Sequence, residues 1–177
     1  AKMEGKPFRP TPQNGRTSGD NGLSGDASSW PKLLLAVQGF LLTVVATVLL
    51  AEDNAVNALL ATRLLEREGC RVVRVHTGDE AIAAVARTIA GQDPPYDLVL
   101  MDIYMPRLDG MEATRAIRRL FAASSNDMRP SLPIIAVTAN AFLEDRQRYL
   151  AAGMDDYLAK PFDSCALTSV LARWLPR

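Results

Sequence analysis

Short runs rich in aliphatic residues recur along the chain from Thr47 onward, and longer segments separate them. In those segments apolar residues return every three or four positions, which is typical of amphipathic helices, whereas the short runs are typical of buried strands. The predicted strands are residues 47–51, 71–75, 98–102, 134–138 and 156–160. Strands that alternate with helices predict an α/β fold built on a parallel sheet.

Helix-boundary residues define the segments between the strands. Asn54 is a helix-capping residue type, Val56, Leu60 and Leu64 follow it at intervals of four, and Gly69 suits a helix end. The predicted helices are residues 55–68, 78–90, 109–121, 141–152 and 162–174. Because the strands are nearly all apolar, we expect helices to cover both faces of the sheet.

The first 46 residues have a different pattern. Residues 1–32 contain five glycines, four prolines and four serines, and they cannot bury enough apolar surface to offset their chain entropy. We interpret them as a flexible linker or tail. Residues 33–46 are uncharged and, with the next five residues, reach the length of a membrane span, but those five are better explained as a strand. We therefore expect residues 33–46 to be an apolar element before a domain of residues 47–177, with no membrane insertion.

Composition narrows the classes of function. Of the 177 residues, 20 are Lys or Arg and 20 are Asp or Glu, so no basic excess indicates nucleic-acid binding. The two cysteines, Cys70 and Cys165, have no metal-ligand spacing, which favours a reduced, cytoplasmic protein. The single histidine, His76, excludes a metal site with several histidine ligands from one chain.

Charged and hydroxyl side chains follow or end four of the predicted strands. Glu52 and Asp53 come after the first strand, Asp102 ends the third, Thr138 ends the fourth, and Lys160 closes the fifth. In open parallel sheets, ligands bind beyond the carboxyl ends of the strands. If the first and third strands are neighbours, three carboxylates converge there, which suits Mg²⁺ or Mn²⁺. With the hydroxyl and the ammonium, they would cradle a phosphoryl group, and an aspartate could act as its nucleophile.

Four motifs occur in order over residues 47–175: "LLAEDN", "LVLMDIYMPRLDG", "AVTANA" and "GMDDYLAKPF". Together they resemble the receiver domains of two-component response regulators. The resemblance implies a flavodoxin-like, doubly wound (βα)5 fold whose five-stranded parallel sheet has the order 2-1-3-4-5. It also implies a phosphoacceptor aspartate and a bound Mg²⁺.

Residue by residue, the resemblance assigns the phosphoacceptor to Asp102. It assigns Mg²⁺ binding to Glu52, Asp53 and Asp102 together with the backbone carbonyl of Tyr104. No other residue of the motifs is a strong general base, so we expect any hydrolysis of the aspartyl phosphate to be slow. Beyond Mg²⁺-dependent self-phosphorylation and this slow hydrolysis, no independent enzymatic activity is expected.

The remaining assignments concern the response to phosphorylation. Thr138 would hydrogen-bond the phosphoryl oxygens and move toward them, and Lys160 would pair with the phosphate. Tyr157 matches the family's aromatic switch, whose rotamer follows Thr138. Pro161, after Lys160, resembles the family's cis proline, for which the cis form costs only about 0.5–1 kcal/mol.

The sequences of these motifs are most similar to those of C-terminal receivers of hybrid sensor histidine kinases. If the chain is attached to a membrane, we expect the attachment to be through such a parent kinase. The implied partner is a histidine kinase domain or a histidine phosphotransfer protein, docking beside Asp102 at the first helix. A stand-alone response regulator is the close alternative. An Asp-nucleophile phosphatase of small molecules usually has a second aspartate where Tyr104 stands. A degenerate receiver that only binds partners is the third alternative.

Overall fold

The computed structural model describes residues 45–124, 132–139 and 142–175. Within these ranges five strands alternate with five helices. The elements are β1 (Thr47–Ala51), α1 (Ala55–Arg67), β2 (Arg71–Val75), α2 (Gly78–Ile89), β3 (Leu98–Asp102), α3 (Gly110–Ala123), β4 (Ile134–Thr138), α4 (Leu143–Ala151), β5 (Asp156–Ala159) and α5 (Ser164–Trp174).

The five strands form one sheet in the order β2-β1-β3-β4-β5, and all neighbouring strands are parallel. β1 lies beside β3, with Leu50 paired to Leu100, and β3 lies beside β4, with Asp102 paired to Val137. The strand order reverses between β1 and β3. The helix that follows β1 and the helix that follows β3 lie on opposite faces of the sheet. This confirms the predicted α/β fold and its strand order, and it places the ends of β1, β3 and β4 side by side.

Alternation along each strand divides the core into two layers. Leu49 and Ala51 of β1 face a cluster that includes residues of α2, α3 and α4. Val48 and Leu50 face the opposite cluster, which includes residues of α1 and α5. Because β3 and β4 are buried along their whole lengths, helices cover both faces of the central strands, as the sequence predicts.

Most predicted boundaries agree with the structure to within two residues. Asn54 caps α1, and its side-chain oxygen accepts hydrogen bonds from the N–H groups of Val56 and Asn57. Strand β5 ends one residue before Lys160, which belongs to the following bend. Helix α5 begins at Ser164 rather than at residue 162, because the Asp163 side chain caps it.

The face of α1 that packs on the sheet is not the one formed by the four-residue repeat of Val56, Leu60 and Leu64. Val56 is 75% exposed and Leu60 is 52% exposed, whereas Ala58, Ala61 and Leu65 are buried against the sheet. Apolar residues lie on more than one side of this helix, so a four-residue repeat predicts the helix without fixing its inward face. The small alanine side chains allow α1 to pack closely, and they leave larger apolar residues in contact with solvent.

The predictions for residues 1–32 and for nearly all of residues 33–46 lie outside the described residues. Val45 and Ala46 precede β1 without regular secondary structure. None of the helices in the described ranges is long and apolar enough to cross a bilayer.

Candidate functional site

Three carboxylates meet at the carboxyl edge of the sheet. Glu52 follows β1 and is 2% exposed, and Asp102 ends β3 and is 5% exposed, while Asp53 is exposed to solvent. One carboxylate oxygen from each lies within 4.8 Å of the others. Since three like charges at this separation repel one another, the cluster is suited to binding a cation.

Lys160 reaches this cluster from the end of β5. Its Nζ lies 2.5 Å from Glu52 Oε2 and 2.8 Å from Asp102 Oδ2. Burial lowers the pKa of Lys160, but the hydrogen bonds to the two carboxylates outweigh this effect and leave the pKa above its usual value. The ammonium therefore keeps its charge at neutral pH. The peptide bond between Lys160 and Pro161 is cis.

Asp102 has the electrostatics of a buried acid beside a cation. Burial raises its pKa above the usual value, and this effect exceeds the lowering by Lys160. The negative charge of Glu52 adds to the rise, and the N–H of Tyr104 donates to Asp102 Oδ1 at 3.2 Å. A further positive charge at this site would lower the pKa of Asp102, so the site favours cation binding.

Tyr104 is placed directly after the third strand, two residues beyond Asp102. Its side chain is largely exposed, and its N–H is the group that contacts the Asp102 carboxylate. The role of its backbone carbonyl as a metal ligand stays a prediction.

Backbone contacts fix the position of Asp102. The N–H of Ile103 donates to the carbonyl of Val137 at 3.1 Å, which extends the pairing of β3 with β4. The N–H of Gly110, at the start of α3, donates to the carbonyl of Ile103 at 3.0 Å. A Cβ atom on Gly110 would lie 2.2 Å from the carbonyl oxygen of Asp102, so only glycine allows this approach.

Two further side chains, which the sequence did not single out, contact the acidic loop, residues 52–54 between β1 and α1. Asn57 Nδ2 donates to Glu52 Oε1 at 3.2 Å, and the N–H of Asn54 donates to the same oxygen at 3.3 Å. The Arg74 guanidinium donates to the carbonyls of Glu52 and Asp53 at 3.2 Å. The available signals were a polar residue in the first turn of α1 and an arginine in the interior of β2.

Thr138 and Tyr157 lie on the neighbouring strands β4 and β5, and β4 adjoins the strand that ends in Asp102. Thr138 is fully buried, and its Oγ1 lies 3.0 Å from the hydroxyl of Tyr149 on α4. Tyr157 on β5 is half-buried, and the Arg146 guanidinium, also from α4, lies 5.7 Å from its ring centroid. The sequence singled out Thr138 and Tyr157 but not their contacts with Tyr149 and Arg146 of α4.

The donor set fits a hard divalent cation. Its charged ligands would be oxygen atoms, and the Lys160 ammonium, which contacts Glu52 and Asp102, supplies a positive charge beside them. Such a site can hold Mg²⁺, stabilise the oxygens of a phosphoryl group and present a carboxylate as its acceptor. Among the described residues the cluster contains only carboxylates, so it suits a hard cation better than a soft transition metal, which prefers sulfur or imidazole ligands.

Comparison with known proteins gives the family. The model of the response regulator receiver domain matches residues 48–172. The chain belongs to this family. Its described part is therefore a receiver domain of two-component phosphorelays, and the phosphatase alternative is not favoured.

Relatives in this family include sensor kinases. The chain is 43% identical to the sensor protein GacS of Pseudomonas syringae pv. syringae over 127 residues, which cover 72% of this chain and 13% of that relative. The chain thus spans only a small part of the length of the curated relatives it matches.

Solved receiver domains have the same fold. The receiver domain of sensor histidine kinase PA1611 from Pseudomonas aeruginosa PAO1, with a magnesium ion coordinated in its active-site cleft, is 44% identical; the match covers 74% of this chain and 98% of that one, with a TM-score of 0.61. The Ssk1 receiver domain of Saccharomyces cerevisiae, crystallised with the histidine phosphotransfer protein Ypd1, is 28% identical; the match covers 73% and 88% of the two chains, with a TM-score of 0.63.

Proposed function

We propose that this receiver accepts a phosphoryl group from a phosphohistidine onto Asp102, with Mg²⁺ bound by Glu52, Asp53, Asp102 and the carbonyl of Tyr104. One observation carries the proposal: three carboxylates lie within 4.8 Å of one another beside a lysine ammonium. Mg²⁺ is the proposed cofactor, and Mn²⁺ fits the same oxygen donors. When bound, the metal neutralises charge on the carboxylates and on the phosphoryl oxygens.

In the proposed transfer, a carboxylate oxygen of Asp102 forms a bond to phosphorus. The bond between phosphorus and the imidazole nitrogen of the donor breaks, and the imidazole leaves with the electron pair and takes up a proton. Lys160, now 2.8 Å from Asp102 Oδ2, pairs with the phosphoryl oxygens, and Thr138 donates a hydrogen bond to them. Tyr157 then changes rotamer as Thr138 moves.

The proposed setting is a hybrid sensor histidine kinase. Similarity to sensor proteins such as GacS supports this setting over a stand-alone regulator. The proposed donors are a histidine kinase domain or a histidine phosphotransfer protein, and the Ypd1–Ssk1 complex supports the second kind. We also propose a cytoplasmic location, because Cys70 and Cys165 are both free thiols.

Treatment with acetyl phosphate tests the proposed function. We expect incorporation of about one phosphate per chain in the presence of Mg²⁺ and none with EDTA, because the unneutralised carboxylates repel the donor. The measurement is the intact mass of the protein with time, together with the phosphate released. Rapid release of phosphate with none retained on the protein would instead indicate a small-molecule phosphatase, and neither uptake nor release would indicate a degenerate receiver.

The proposed docking surface is the exposed apolar face of α1. Val56, Leu59 and Leu60 are 75%, 59% and 52% exposed, and the helix begins directly after the acidic loop. A helical phosphotransfer protein that brings its histidine to Asp102 would cover this face, as helices commonly pack on an apolar stripe.

Replacing Leu59 with glutamate is expected to slow transfer from phosphorylated Ypd1 about tenfold, since a charge would then be buried on docking. Labelling by acetyl phosphate needs no docking and is expected to stay unchanged. Leu150→Glu, at a leucine of α4 that is 46% exposed, is the matched control. Equal losses in both variants, or a parallel loss with acetyl phosphate, would contradict a docking role for α1.

A further inference from the structure

Tyr149 makes a contact within the site that the receiver motifs do not account for. Its hydroxyl oxygen lies 3.0 Å from Thr138 Oγ1. Thr138 is fully buried and Tyr149 is 3% exposed, so water does not compete for this hydrogen bond. Thr138 ends β4, which lies next to the strand that ends in Asp102. The contact therefore joins α4 to the proposed phosphoryl site.

Either hydroxyl can donate in this hydrogen bond, but a bound phosphoryl group would determine which one does. A threonine hydroxyl has one proton to donate, and ionised phosphoryl oxygens can only accept. When Thr138 donates to the phosphoryl group, it can keep its bond with Tyr149 only if the tyrosine is the donor. Burial raises the pKa of Tyr149, so its hydroxyl keeps that proton at neutral pH.

We propose that Tyr149 is a positioning residue for Thr138: it donates to Thr138 Oγ1 and thereby directs the single threonine proton toward the phosphoryl group on Asp102. The inference rests on the proposed function. A hydroxyl that accepts one hydrogen bond becomes a better donor in the next, which strengthens the contact with the phosphoryl oxygens. Tyr149 acts only through Thr138 and does not touch the phosphoryl group.

Helix α4 gains a role from this arrangement. Arg146 lies one turn before Tyr149, and its guanidinium is 5.7 Å from the ring centroid of Tyr157. A single helix thus contacts both residues that are predicted to respond to phosphorylation. Because Tyr149 favours the occupied site, occupancy in turn favours the position of α4 in which Tyr149 reaches Thr138.

The test is the affinity for beryllofluoride, a phosphoryl mimic, in the presence of Mg²⁺. Tyr149→Phe retains the buried ring and removes only the hydroxyl, and we expect it to weaken this affinity about five- to tenfold. Tyr96→Phe is the matched control, because Tyr96 is half-buried and packs on the same core layer as Tyr149 but precedes β3, at the amino end of the sheet and away from the proposed phosphoryl site. It is expected to leave the affinity unchanged.

Adding Tyr149→Phe to the variants Thr138→Val and Thr138→Ser distinguishes a positioning role of Tyr149 from a structural one. In Thr138→Val no hydroxyl remains to be directed, so Tyr149→Phe is expected to have no additional effect on affinity. In Thr138→Ser the hydroxyl is retained, and the five- to tenfold effect is expected to return. Melting temperatures of all variants verify that each one is folded.

Three results would overturn the inference. They are an unchanged affinity in Tyr149→Phe, an equal loss in all three backgrounds, and a gain in affinity. The gain would mean that Thr138 donates to Tyr149 and is withheld from the phosphoryl group. If wild-type protein itself does not bind beryllofluoride, the proposed function fails and this inference fails with it, a result distinct from the other three.

Discussion

Asp102→Asn is expected to abolish phosphate incorporation from acetyl phosphate while leaving the protein folded. The amide has nearly the shape of the carboxylate, but it is a poor nucleophile and a weaker ligand for Mg²⁺. Burial raises the pKa of Asp102, which means that its charged form is disfavoured in the fold. The free energy of unfolding is therefore expected to stay within about 1 kcal/mol of wild type. Lys160 keeps its partner Glu52 at 2.5 Å.

Intact mass spectrometry and urea unfolding measure the two effects separately. Asp93→Asn is the matched control, since Asp93 is partly exposed, pairs with Arg87 and lies before β3. It loses the same charge and is expected to be labelled like wild type. Mg²⁺-dependent uptake of one phosphate by the Asp102→Asn protein would refute the assignment of the phosphoacceptor.

Gly110→Ala is expected to destabilise the fold by about 3 kcal/mol or more and to abolish labelling of Asp102. The added Cβ would lie 2.2 Å from the Asp102 carbonyl oxygen and 3.0 Å from Met101 Cγ. Since the clash involves the backbone of β3, the strand end must move, and the Asp102 carboxylate moves with it. Urea unfolding and acetyl phosphate labelling measure the two losses.

Gly91→Ala is the control for this prediction. Gly91 has a φ of 72°, but nothing lies within 4 Å of its added Cβ. The substitution is therefore expected to cost only about 1–2 kcal/mol, from the left-handed backbone conformation, and to leave labelling intact. If Gly110→Ala were no more destabilising than Gly91→Ala, the close approach of α3 to Asp102 would not be a constraint on the site.

The sequence predicted the strands and the acidic residues at their ends because both depend on local patterns, whereas the meeting of those residues depends on the strand order. Apolar runs of four or five residues fix the strands, and the charged residues that follow them must lie at the edge where parallel strands end. Glu52 and Asp102 are 50 residues apart, yet the strand order alone brings them together. Recognition of the family motifs supplied the strand order, which periodicity does not contain.

What the sequence did not predict depends on how the helices turn and tilt. Whether α1 buries Val56 or Ala58 is decided by packing against β1, since both are apolar. Asn57 and Tyr149 are helix residues whose partners come from other elements, so no spacing within their own helices identifies them. Such contacts follow from tertiary packing, which composition and periodicity leave undetermined.

Locating the acyl phosphate tests directly whether Asp102 is the phosphoacceptor. The protein is labelled with acetyl phosphate and Mg²⁺ and then reduced with borohydride, which converts an aspartyl phosphate into homoserine. Peptide sequencing by mass spectrometry then reads the modified position. We expect homoserine at position 102 and nowhere else, whereas a modified Glu52 or Asp53, or phosphate retained on His76, would contradict the assignment of Asp102 as phosphoacceptor.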